Sequence, residues 1–318
     1  MATTYSEYSV DAEIEAFFKK TSATRDECHA RAKEVAGDNV VPVQVQGVCS
    51  YSVYAGPELE YVVQFRLESL ALKPEVTSRV SFEGLVGDAE KEPLYVYFMS
   101  RVRGITHLDF ILENGFPEDT PDNLRWRKNL MTDVAHFMAL PWKGPQPVTP
   151  EYRNNLRQTY LRDLQLLRTA LPARFQPIVQ TCIDSIDDIM SLPMVLLHRD
   201  FGSCNIMVDE TTYHLVGVID WAEAELHLRN GWTRYVDYDA LQEVFWGTFR
   251  EEAGLSDQQV ATIKLARALG LLLSSGFTCR LANEPEPTPI GDDEQGRYNM
   301  LSLDGFLINP ETNFDGLE

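Results

Sequence analysis

Between Met194 and Glu225 the chain gathers residues whose types could do chemistry together. His198, Arg199 and Asp200 stand in a row, Asn205 follows five positions after the aspartate, and Asp220 ends the apolar run Leu215-Val216-Gly217-Val218-Ile219. A carboxylate able to take a hydroxyl proton, together with an amide and a second carboxylate as hard oxygen donors for Mg²⁺, suits phosphoryl transfer. That reaction asks a protein for positioning and charge rather than for covalent help, and Mg²⁺ takes one or two protein oxygens with the remainder from phosphate and water. Asp200 is the candidate proton acceptor, and Asn205 and Asp220 are the candidate metal ligands. Ile206-Met207-Val208, a turn at Asp209 to Thr212 and the second apolar run read as a hairpin that would bring the two ends together.

The spacing H-R-D-x-x-x-x-N matches the catalytic-loop signature of kinases, and Asp220 stands where that signature has its metal-binding aspartate. Trp-Ala-Glu follows Asp220 instead of Phe-Gly. HRDFGSCNIMVD with GVIDWAEAE resembles the aminoglycoside-phosphotransferase family of small-molecule kinases, in a version common among fungal proteins. Gly47 to Tyr51, Val62 to Arg66, Gly231-Trp232 and Phe245-Trp246 extend the likeness to roughly residues 40 to 310.

The resemblance implies an α+β, bilobal, protein-kinase-like fold: an N-terminal lobe on a small sheet over residues 1–100, a hinge at 101–105, and a mainly helical lobe over 106–318. It implies ATP and Mg²⁺ as cofactors and a small-molecule hydroxyl as acceptor. Ser50 and Ser52 would lie by the nucleotide phosphates, in a turn from Gly47 to Ser52, with Arg66 on the third strand. Met99, Arg101 and Val102 would flank the adenine. His198 would bond backbone beneath Asp220, with Arg199 beside it, and Trp221 and Glu223 would face the acceptor.

The chain departs from that pattern on its third strand. The family carries a lysine or arginine there, paired with a glutamate on the next helix, and this chain has Gln64. Arg66 falls on the same face two residues on and can grip phosphate in bidentate fashion. Only LESLALK separates Arg66 from Pro74, so the helix is curtailed, with Glu68, Glu75 and Glu83 as its acidic candidates. Either the clamp is rebuilt from other groups, or the protein is a binding or scaffold member with transfer impaired, or the cleft serves other biosynthetic chemistry.

The elements that must position these residues are legible from periodicity. Helices are expected at Asp11 to Lys20, from a cap at Ser22 or Thr24 to Ala36, at His107 to Leu112, Asp122 to Leu140, Pro150 to Ala170 and Pro172 to Met190. Two more are expected at Tyr238 to Glu252 and Asp257 to Ser275, with Pro141 ending its helix. Strands are expected within Val41 to Arg66 and at Leu94 to Met99. The acidic, proline-rich Asn283 to Gln295 reads as a mobile loop.

A formal charge of −20, from 48 acidic and 28 basic residues, argues against nucleic acid or an anionic membrane as partner. Five cysteines without C-x-x-C or Cys/His spacing argue against zinc and for reduced thiols. The amino terminus lacks a secretory pattern and no apolar run reaches membrane-span length, so a cytoplasmic protein is expected. Oligomeric state is open.

Overall fold

The computed structural model describes residues 9–47, 49–72, 80–88, 90–114, 119–198, 201–220, 224–225, 237–278, 288–310 and 313–314. Two compact units divide the chain, Met1–Arg103 and Gly104–Glu318. The first carries an antiparallel sheet and the second is mostly helical, so the class is α+β.

In the first unit, α1 (Val10–Phe18) and α2 (Arg25–Ala36) precede the strands β1 (Val40–Pro42), β2 (Ser50–Ala55), β3 (Tyr61–Leu67), β4 (Ser81–Val86) and β5 (Leu94–Ser100). Thr24 and Glu27 form a reciprocal cap that starts α2, and Gly37 at φ 101° ends it. The sheet order is β1-β2-β3-β5-β4, every pair antiparallel. Alternation sorts the sheet's two faces. Tyr51, Val53, Val63, Phe65, Leu94 and Val96 pack on Ile14, Phe17, Cys28 and Ala32 of the two helices. Ser50, Ser52, Gln64, Arg66, Tyr95 and Tyr97 take the opposite face by the same alternation.

Ser50 and Ser52 therefore lie on a strand, and the expected Gly47 to Ser52 turn ends earlier. Gln46 closes it, donating from Nε2 to the carbonyls of Val43 and Ser52 (both 2.9 Å) and accepting from the Ser52 amide. After β3 the described chain makes only a short 3-10 turn at Glu68–Leu70. Residues 73–79, with Glu75, lie outside the described residues.

The second unit opens at Gly104, whose φ of 128° and close approach to the Val208 carbonyl leave no room for a Cβ. Then come β6 (Ile105–Thr106), α3 (His107–Glu113), α4 (Pro121–Lys143), α5 (Pro150–Ala170), α6 (Gln176–Asp184) and α7 (Ile186–Ser191). The strands β7 (Leu197–His198), β8 (Ile206–Val208), β9 (Leu215–Val218) and β10 (Ala224–Glu225) follow, then α8 (Tyr238–Ala253), α9 (Asp257–Ser275) and α10 (Arg297–Leu303). A threonine cap followed by proline begins both α4 and α5. Leu164, Leu167, Phe175, Val179, Cys182, Leu269 and Leu272 form the larger core. Burial pushes the Cys28 and Cys182 thiols up to about 12, so both are inert packing groups.

Three expectations are corrected here. Pro141 does not stop α4, which runs on to Lys143. Pro172 to Met190 is not one helix: a 3-10 turn at Ala173–Phe175 leads into α6, and the chain breaks at Ser185 before α7. Its inward residues Phe175, Ile178, Val179, Cys182, Ile186 and Ile189 keep helical spacing across the break, which hides it from periodicity. Of the expected loop Asn283 to Gln295, residues 283–287 lie outside the described residues, and the rest is tethered. Thr278 and Thr288 share a backbone bond, Ile290 bonds the Gly276 carbonyl, and Ile290 is buried.

Candidate active site

Packing of α4 fixes the hairpin β8–β9. Trp126 Nε1 donates to the Thr211 carbonyl (3.0 Å) and Asn129 Nδ2 to that of Thr212 (2.9 Å). One turn on, Asp133 takes the Leu215 amide (2.9 Å) and His214 Nδ1 (2.7 Å). Within the turn, the Thr212 and Thr211 amides and hydroxyls converge on Asp209 Oδ1 at 2.8 to 3.1 Å. The backbone and hydroxyl donors of Thr212, then those of Thr211, hold that carboxyl at about 2. Beneath the hairpin Tyr213 is fully buried against Phe110, its hydroxyl bonded to His107 Nδ1.

The far end of the hairpin is tied at one residue. Ile219 donates its amide to the Asn205 carbonyl at 2.9 Å, and its own carbonyl accepts from His198 Nε2 at 2.8 Å. His198 is buried at 4% exposure, on β7, and packs edge-on to Phe201, which stacks on Phe137. Farther on, Ala224 pairs with His198 as β10 joins β7. Asp220, next to Ile219, is exposed and has a left-handed φ of 59°. Left-handed backbone costs a non-glycine residue about 1 kcal/mol, least for Asp and Asn, and such outliers collect at functional sites.

Asn205 and Asp220 are thus brought to the two sides of one pinned residue, with His198 beneath. Arg199, Asp200, Trp221 and Glu223 lie outside the described residues, although Asp200 follows β7 by two positions. An amide oxygen and a carboxylate are the hard donors that Mg²⁺ accepts, so the donor set fits that ion. Among the described residues no three His, Cys, Asp or Glu gather as a metal site.

In the first unit Arg66 is 4% exposed and not a surface residue; its Nε donates to the Leu70 carbonyl at 2.8 Å. Ser50 and Ser52 both accept from Gln64 Nε2. Arg101 is engaged within its own unit: its amide and Nη1 donate to the Glu60 and Leu59 carbonyls, and its guanidinium lies 3.7 Å from the Tyr54 ring centroid. Met99 is the next-to-last residue of β5, and Val102 is half-buried just before the unit boundary.

Reading the sequence missed the α4 side chains that hold the hairpin, although Trp126, Asn129 and Asp133 sit three and four residues apart on one helical face. It also missed the bonds from Gln64, seen only as the absence of a lysine.

The model of the phosphotransferase enzyme family (APH) matches residues 74–229, just under half of the chain. Similar solved structures include the GDP complex of aminoglycoside 2'-phosphotransferase-IIIa. It is 15% identical, with 79% of this chain and 89% of that one covered and a TM-score of 0.44. An aminoglycoside phosphotransferase, APH(3'')-Id, from Streptomyces rimosus is 12% identical, with 76% and 94% covered and a TM-score of 0.37. A gentamicin complex of APH(2")-IIa is 12% identical, with 85% and 89% covered and a TM-score of 0.38. Among the curated proteins none matches. No helix among the described residues is long and apolar enough to cross a membrane. The matched stretch from residue 74 to residue 229 holds the catalytic-loop signature and both ends of its hairpin, and over that length the chain is similar to the phosphotransferase enzyme family.

Proposed function

We propose that the protein is an ATP- and Mg²⁺-dependent phosphotransferase that acts on a hydroxyl of a small molecule. The observation that carries this reading is the pinning of Ile219 between Asn205 and His198, which leaves Asp220 exposed in a left-handed turn beside the Asn205 segment. A residue held in that conformation by bonds on its neighbour is preorganised, and preorganised charge is what phosphoryl transfer asks of a protein.

Asn205 and Asp220 would hold Mg²⁺, and the metal when bound would neutralise charge on the phosphate oxygens. Asp200 orients the acceptor hydroxyl and takes its proton as the oxygen attacks the γ-phosphorus; the bond to the β–γ bridging oxygen breaks and ADP leaves. His198 acts through Ile219 and fixes the backbone that aims Asp220. Arg66, Ser50 and Ser52 steady the phosphates, with Met99, Arg101 and Val102 beside the base. Trp221 and Glu223 contribute to the acceptor side, where a carboxylate favours an amine-bearing substrate.

One observation favours a second reading, a binding or scaffold protein without turnover: β3 carries no lysine, with Gln64 where the resemblance would set a basic residue, and the described residues after β3 form only a 3-10 turn at Glu68–Leu70. A metabolite screen with mass detection of an added phosphate separates the two. The proposal expects a phosphorylated product with the wild-type chain and a loss of about 10²–10⁴-fold in Asp200→Asn. Mg²⁺-dependent ATP binding with no product from any hydroxyl acceptor would favour the scaffold.

A further inference from the structure

On the sheet face opposite the α1–α2 core, the register sets Ser50 against Arg66 and Ser52 against Gln64. Arg66, at 4% exposure, donates Nε to the Leu70 carbonyl and Nη1 to Gln64 Oε1 at 3.4 Å. Among the described residues no carboxylate pairs with it. A guanidinium withdrawn from water without a countercharge is expensive to hold, and its remaining N–H groups can only donate.

Donor and acceptor bookkeeping extends the point to its neighbours. Because an arginine cannot accept, the end of Gln64 facing Arg66 must be the oxygen, and this orients the amide. The nitrogen end then faces the serines, and Nε2 donates to Ser50 Oγ at 3.1 Å and Ser52 Oγ at 3.3 Å. Each serine oxygen is thereby an acceptor toward Gln64, and its single O–H must donate elsewhere. The flanking tyrosines do not supply the acceptor. Tyr95 donates its hydroxyl to Glu68 Oε1, and Tyr97 takes the Leu72 amide on its oxygen. Ser52 and Gln64 are half-buried and keep the row open to solvent. The row is a set of donors with one positive charge, which matches an anion with several oxygens.

We propose that Gln64 is a positioning residue that turns the Ser50 and Ser52 hydroxyls into outward donors. With Arg66 they form a cradle for the polyphosphate of the nucleotide, built without the strand lysine. This rests on the phosphotransferase reading above.

Gln64→Glu tests it with almost no change in size. A carboxylate accepts from Arg66 and from both hydroxyls, so it cancels the charge and turns the serine hydrogens inward, while leaving the fold its own ion pair. Calorimetry on the full chain uses inorganic tripolyphosphate and adenosine as separate probes. The expected result is a tripolyphosphate Kd raised about tenfold or more, an unchanged adenosine Kd and an unlowered melting temperature. Ser50→Ala/Ser52→Ala should reproduce the loss, and it decides the matter should Gln64→Glu fail to fold. Gln64→Lys should retain tripolyphosphate binding, and in turnover Gln64→Glu should raise KM for ATP more than it lowers kcat. Wild-type tripolyphosphate affinity in Gln64→Glu, or equal loss of adenosine, overturns the cradle, as does a wild-type chain that binds no tripolyphosphate. The two readings fail separately. Gln64-dependent tripolyphosphate binding without transfer to any acceptor would leave the cradle and remove the kinase, and transfer with KM indifferent to Gln64 would do the reverse.

Discussion

Asp220, proposed above as a metal ligand, would set stability against function in a single residue. Its φ of 59° is imposed by bonds on Ile219, one to the Asn205 carbonyl and one from His198. Glycine carries no penalty there, so Asp220→Gly should raise stability by about 0.5–1 kcal/mol while Mg²⁺-dependent transfer is lost. Denaturant unfolding of the metal-free protein beside a turnover assay checks both halves, and a destabilised variant would show that the turn is not strained. Residue types and spacing in H-R-D-x-x-x-x-N and I-D-W were enough to single out Asp200, Asn205 and Asp220 as candidates, of which Asp200 lies outside the described residues. The polarity of Ser50 and Ser52 was not legible, because it depends on which end of the Gln64 amide meets Arg66 on its own strand and which end reaches across to β2, a choice that no spacing encodes.

At the scale of elements, α4 is what holds the helical unit's site in register. Trp126, Asn129 and Asp133 grip the hairpin turn, and Arg127 reaches the other way, to Asp119 and Asp237 at 3.0 Å each. The Arg127 side chain is 2% exposed and Asp237 15%, whereas Asp119 is 47% exposed, so Arg127→Ala would leave the Asp237 carboxylate facing a void. The expected cost is about 3–5 kcal/mol, read by urea unfolding; a cost under about 1 kcal/mol would mean that solvent already screens the pair. Most helices were legible because capping residues and apolar periodicity agree, as with Thr149-Pro150 for α5 and Ser256 with Gln259 for α9. The break at Ser185 was not, since periodicity runs straight through it. Nor was the tethering of residues 288–295, where the acidic, proline-rich composition concealed the buried Ile290.

For the whole molecule, acid stability reports on the core of the helical unit. Burial lowers the His107 pKa from 6.5 to about 4, its Nδ1 bonded to the Tyr213 hydroxyl. The folded state therefore binds fewer protons than the unfolded chain between those two values. Stability from this group is full above about 6.5 and lost as pH falls toward 4, on the order of 2–3 kcal/mol. His107→Gln should flatten that part of the curve; an unchanged slope would place the acid sensitivity elsewhere. Titration of ATP by calorimetry with and without Mg²⁺, in the wild-type chain and in Asn205→Ala and Asp220→Ala, tests the central claim most directly. The account predicts that Mg²⁺ tightens ATP binding in the wild type and that each substitution abolishes the metal's effect while metal-free binding persists. Equal Mg²⁺ enhancement in all three proteins would contradict it.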